Sequence, residues 1–300
     1  MLPLRDDLRP ALLLGGLFAL VLIAFGARWT QAKAGQCTTC PPSFRMEWVF
    51  VAPSLIGAAI GLAKVRGRQR IAEPLPRAAA LLFSLALLAR GVADSAYYAY
   101  YEITGKSPYP SVGDVAFVAE AVLWIAGLAL LYWALETTVL EELRSSVDVL
   151  IAVWSLTIVA VTLIRGEGKV PNDLGKLALD LFYPFAAAAS CAMTSALVFG
   201  PQLRRIAVPW RWCLIMLYVG TLLQMLATIA YSLLSSLPAD HPALGEFFWE
   251  GGPVDFLFAL AVYSLALAVA LLPRATPMLA LIEAGGPPDP PAEGEALSGM

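Results

Sequence analysis

The chain has 300 residues, of which 59% are hydrophobic and only 14% charged, with a mean hydropathy of +0.72; soluble domains carry roughly 25% charged residues, so these values describe a membrane protein. A formal charge of -3 and a pI near 5.3 leave no basic face for nucleic acid. The single histidine, His241, cannot supply the paired imidazoles of a haem held between helices or a histidine-built zinc site, and no lysine lies in the interior of an apolar run to form a Schiff base. No cofactor, metal or enzymatic chemistry is expected.

A helix crosses a hydrocarbon core of ~30 Å with about 20 apolar residues. Eight runs meet that requirement: Ala11 to Ala27, Trp48 to Lys64, Arg77 to Tyr101, Val115 to Leu135, Val147 to Ile164, Leu177 to Phe199, Trp212 to Leu234 and Val254 to Leu272. The expected fold is therefore all-α, a polytopic transmembrane bundle of about eight spans over residues 1–282. The stretch 283–300, rich in proline, glycine and acid, is read as a disordered cytoplasmic tail. The first run, with its charged start and Ala32-Lys33-Ala34, resembles a signal peptide; Asp6, Asp7 and its length favour retention as a span. Trp29, Trp48, Trp133, Trp210 and Trp212 stand at span ends, where indoles favour the headgroup layer.

Basic residues divide unequally between the two sides. One side carries Arg5, Arg9, Lys64, Arg66, Arg68, Arg70, Arg77, Arg144, Arg204, Arg205, Arg211 and Arg274. The other carries Arg28, Lys33, Arg45, Lys106, Arg165, Lys169 and Lys176. Cytoplasmic loops hold the excess, so both termini are expected in the cytoplasm of a multi-pass cell-membrane protein.

Polar residues within or beside the runs carry what functional signal there is. Cys37-Thr-Thr-Cys40 falls in the first outer loop, where an oxidising compartment favours a disulfide over free thiols or a metal site. Gly57-Ala-Ala-Ile-Gly61 is a small-residue stripe that suits close helix packing, within the bundle or between copies. In the third run Arg90 and Asp94 are four apart and share a helix face, continued outward by Tyr97, Tyr98 and Tyr101. Two readings stand: a neutralising ion pair that fixes packing, or a ligand pocket. Ser111 and Asp114 open the fourth run with capping-box spacing. Glu120 lies two turns deeper with no basic residue on its own helix; it either pairs with Arg90 or acts as a proton site. Asp180 and Tyr183-Pro184 sit near the outer end of the sixth run, and with Asp240, Glu246, Glu250 and Asp255 they make the outer half acidic and aromatic. That character suits a cationic ligand; ordinary solvated loops are the competing explanation.

The two halves carry a weak repeat. Ala93, Ala96 and Tyr97 recur as Ala227, Ala230 and Tyr231 at an offset of 134 residues, while Asp114 and Phe117 recur as Asp255 and Phe258 at an offset of 141. Copies four spans apart insert the same way round, so the repeat would be parallel. The charged stripe then corresponds to Gln224, Thr228, Tyr231 and Ser232, polar and uncharged, which favours one binding site over two equivalent ones.

The segments Gly91-Val-Ala-Asp-Ser-Ala-Tyr97, Pro108-Tyr-Pro-Ser-Val-Gly-Asp-Val-Ala-Phe117 and Gly127-Leu-Ala-Leu-Leu131 resemble the multi-helix membrane sensor regions found ahead of bacterial diguanylate cyclases and histidine kinases. The resemblance runs roughly from Arg77 to Leu272 and marks Asp94, Asp114, Tyr183, Pro184 and Asp255 as characteristic positions, without catalytic roles. Glu120-Ala-Val-Leu123 stands where that layout has an aromatic-proline pair. With no output domain after the last span, the resemblance implies signalling through a separate protein. A sensory or ligand-binding bundle is the leading expectation, with Arg90, Asp94, Tyr97, Tyr98, Asp114, Glu120, Asp180, Gln224, Thr228, Tyr231 and Asp255 as its candidate residues. A proton-coupled carrier and a structural subunit of a membrane complex are the alternatives. The expected partners are the lipid bilayer, a cytoplasmic signalling protein or membrane complex, and a cationic small molecule.

Overall fold

The computed structural model describes residues 12–23, 25–26, 47–67, 71, 73–104, 109–135, 174–200, 203, 206–235, 252–273 and 277–278. The predicted fifth span, Val147 to Ile164, lies outside the described residues, as do Cys37, Cys40, Asp240, Glu246, Glu250 and the tail.

Among the described residues the fold is all-helical, with no strand. A short apolar helix, α1 (Leu12–Ile23), precedes α2 (Glu47–Arg66), α3 (Pro74–Thr104), α4 (Val112–Ala134), α5 (Leu174–Phe199), α6 (Val208–Ser235) and α7 (Pro253–Ala270). From α2 onward these six are long and apolar enough to cross a membrane, which makes the chain a multi-pass membrane protein. The 31 residues of α3 span ~46 Å at ~1.5 Å per residue, more than the hydrocarbon thickness, so the helix ends reach both headgroup layers.

Each helix packs on the next, and α7 returns to α2, so α2 to α7 close into a ring. Small residues permit the close approaches. A side chain at Gly57 would meet the Cβ of Ala266 on α7 at 2.8 Å, and one at Gly61 would strike Ser84 on α3 and Val269 on α7. The Gly57–Gly61 stripe thus seats α2 against its neighbours within the bundle. Hydrogen bonds join other pairs: the Tyr132 phenol of α4 donates to the Met193 carbonyl of α5 at 2.7 Å, and the hydroxyls of Thr194 and Thr221 meet at 2.6 Å between α5 and α6. The α1 helix lies beside α2 and α7, where Phe18 meets Tyr263 with ring centroids 5.5 Å apart and Val21 and Phe25 join Val49, Phe50 and Ala259.

Two positions depart from the expectations. Trp210 is a core residue with 1% exposure rather than an interfacial indole, because it packs in the main apolar cluster with Ile206 and Met278; Trp133 and Trp212 remain exposed. Lys64, counted above as a loop charge, is wholly buried. Its ammonium donates to the carbonyls of Ala270 at 2.5 Å and Leu272 at 2.7 Å, satisfying carbonyls that the end of α7 leaves without helical partners.

Candidate functional site

The ring has a basic end, with Lys64, Arg66, Arg77 and Arg211 beside Glu73, and an acidic end, with Asp114, Asp180 and Asp255, where the Lys176 ammonium also lies 5.7 Å from the ring centre of Tyr109. Polar side chains gather at two levels between the middle of α3 and the acidic end.

The deeper level centres on Arg90. Helical spacing sets its Nε 2.8 Å from Asp94 Oδ2, and the packing of α4 against α3 brings Glu120 Oε2 to 3.6 Å from its Nη1. All three residues are buried. One guanidinium therefore faces two carboxylates, tightly on its own helix and more loosely across to the next. The guanidinium carbon lies 5.2 Å from the ring centre of Phe117 on α4 and 5.9 Å from that of Phe258 on α7, within the range of cation–π attraction. Isolated in hydrocarbon, such a charge costs about 2.5 to 3.5 kcal/mol even on insertion scales; ion pairing and the two rings offset that cost. One turn past Glu120, the buried Trp124 indole nitrogen has no hydrogen bond of standard geometry, although it is near enough to Glu120 to interact with it.

The outer level is made of phenols and carboxylates. Asp114 is the third residue of α4, and its Oδ2 accepts the Ser111 backbone N–H at 2.5 Å and the Ser111 hydroxyl at 3.0 Å. Its other oxygen accepts the Tyr183 phenol of α5 at 2.5 Å. Asp180, one turn before Tyr183, accepts the Tyr109 phenol at 2.5 Å. Burial, then the hydrogen bond and charge of Asp180, push the Tyr109 phenol well above the usual phenol range. Tyr231 of α6 lies within electrostatic reach of Tyr97, Asp180, Asp255 and Asp114, and its ring meets Phe258 edge-on at 6.5 Å.

Most of the candidate residues thus converge at one end. Tyr97 and Tyr98 are half-buried, whereas Tyr101, at 45% exposure, has left the stripe. The Thr228 hydroxyl donates back to the Gln224 carbonyl of its own helix at 2.8 Å, so the cross-helix threonine bond falls at Thr221 instead. Gln224 Oε1 is buried without a hydrogen-bond partner. Tyr109 had no signal in helical periodicity, since it lies before α4. Its Tyr-Pro-Ser context was visible, but not its reach to Asp180.

Several positions matched by the repeat meet in space. Phe117 and Phe258 flank the same guanidinium, Tyr97 and Tyr231 are electrostatic neighbours, and Asp114 and Asp255 each lie in the first turn of their helix. Among the described residues no group of three or more histidine, cysteine or acidic side chains could hold a metal ion. Compared with known proteins, the chain matches no family model, no curated protein and no solved structure.

Proposed function

We propose that residues 1–282 form one sensory bundle, with both termini cytoplasmic, whose acidic end binds a cationic small molecule and whose bound state is passed to a separate signalling partner. The observation that carries this reading is the pair of phenol–carboxylate bonds, Tyr183 to Asp114 and Tyr109 to Asp180, which tie α4, α5 and the segment before α4 together. An ammonium or similar cation can take the place of a phenol at either carboxylate, and doing so would alter how these segments are held. The meeting of repeat-matched residues around Arg90 supports a parallel duplication. The Tyr183–Asp114 contact puts the starts of α4 and α5 at the acidic end, so α4 ends at the end opposite to where α5 begins, which supports one further crossing between them; with α1 as a span the total is eight.

A proton-coupled carrier is the second reading, favoured by the two carboxylates around one guanidinium at lipid depth. Reconstitution into vesicles loaded with a pH-sensitive dye separates the two under an imposed pH gradient. The sensory reading predicts no proton flux above protein-free vesicles, together with recovery of a cytoplasmic regulator from cross-linked membranes. Flux that disappears in Glu120→Gln would overturn it in favour of the carrier. Recovery of a stable membrane assembly without a regulator would favour a structural subunit.

A further inference from the structure

At the basic end, residues 277–278 rest on two connections that precede other helices. Met278 uses both of its backbone groups there. Its N–H donates to Glu73 Oε2, just before α3, at 3.0 Å, and its carbonyl accepts the Ala207 N–H, just before α6, at 2.8 Å. Its side chain is 1% exposed and sits in the main apolar cluster with Ile71, Ile206, Trp210 and Leu272. Separately, Lys64 anchors the end of α7 through Ala270 and Leu272.

We propose that the segment at 277–278 is a latch across the basic end. Docked, it ties the connection before α3 to the connection before α6; undocked, it loosens the apolar cluster that also holds Cys213. The division of contacts is what makes this a separable element. Lys64 holds α7 whether or not the latch is docked, whereas the latch rests on one carboxylate, one backbone N–H and one side-chain seat. Few contacts of that kind permit local opening without loss of the helices around them. This inference goes beyond ligand binding at the acidic end and does not depend on it.

Cys213 is a natural reporter: a free thiol, 3% exposed, in the same cluster as Met278 and within electrostatic reach of Lys64. Cys191, also buried and outside any disulfide, lies on α5 in a different cluster with Ala188 and Met225. The full chain in membranes is treated with a membrane-permeant maleimide, and labelling at each cysteine is quantified by peptide mass spectrometry. Met278→Asp places a charge in the apolar seat and is expected to raise Cys213 labelling about tenfold or more, with Cys191 still protected. Glu73→Ala should raise it less, and Met278→Leu should match the wild type. Unchanged Cys213 labelling in both Met278→Asp and Glu73→Ala would overturn the latch. So would simultaneous exposure of Cys213 and Cys191, because the segment would then be an inseparable part of the core.

Discussion

The two ends of the bundle use polar side chains in opposite ways. At the basic end they bind backbone: Lys64 holds the carbonyls of Ala270 and Leu272, Glu73 holds the Met278 N–H, and Arg211 donates to the Ile206 carbonyl at 2.8 Å. Toward the acidic end the bonds between segments join side chain to side chain, in Tyr183–Asp114 and Tyr109–Asp180, as does Arg90–Asp94 within α3, while Asp114 also holds the Ser111 N–H of its own helix start. A side chain that caps a buried carbonyl cannot leave without orphaning it, so such contacts fix architecture. A side chain paired with another side chain can exchange partners when a ligand offers a better one. Charge alone would have ranked Lys64 with the functional residues. Its partners assign it to the frame.

Substitutions can break or sharpen this contrast. The largest effect is expected from Arg90→Met, which leaves two buried carboxylates without their cation and should cost about 3 to 5 kcal/mol. Replacing all three as Arg90→Met, Asp94→Asn and Glu120→Gln should restore most of that stability in denaturant unfolding; failure to do so would place the role of Arg90 in packing between Phe117 and Phe258. Next comes Lys64→Met, which keeps the apolar stem but orphans two carbonyls, at about 2 to 3 kcal/mol. A smaller loss follows from Tyr183→Phe, about 1 to 2 kcal/mol, since Asp114 retains its Ser111 partners. The contrast is sharpened if Lys64→Met lowers stability without touching ligand response while Tyr183→Phe, with its smaller stability loss, changes the ligand response.

The smallest effect is expected at Tyr109, which is 40% exposed and where screening limits the loss in Tyr109→Phe to under ~1 kcal/mol. Its signature is in the pH dependence. The folded phenol holds its proton more tightly than the unfolded one, because burial and Asp180 both oppose ionisation. Its contribution is therefore complete below the unfolded value of about 10 and is lost as pH rises beyond it. Alkaline titration of the unfolding midpoint should fall less steeply above that point in Tyr109→Phe than in the wild type.

The helices were legible because apolar length is a local property: six of the eight predicted runs reappear as helices long and apolar enough to cross a membrane. The Arg90–Asp94 pair was legible for the same reason, since both partners lie on one helix face. Lys64 was misread because its acceptors lie 206 and 208 residues away in sequence, and no periodicity announces a lysine that turns inward at a helix end. Tyr109 was missed likewise, its partner being 71 residues distant. Trp210 followed a rule for span ends that tertiary packing overrode. Glu120 is the intermediate case: its depth was clear from the sequence, but its partner depended on how α4 packs against α3.

The most direct test of the account is a titration of the purified full chain in mild detergent with spermidine at constant ionic strength, following the unfolding midpoint. If the acidic end exchanges its phenols for a cation, the midpoint rises saturably, approaching ~2.7 kcal/mol of stabilisation at about 100 times the dissociation constant. Lys64→Met should show the same increment from a lower baseline, and Asp114→Asn combined with Asp180→Asn should show none. A midpoint that does not move with spermidine, or that moves equally in the double asparagine variant, would contradict the assignment of ligand binding to the acidic end.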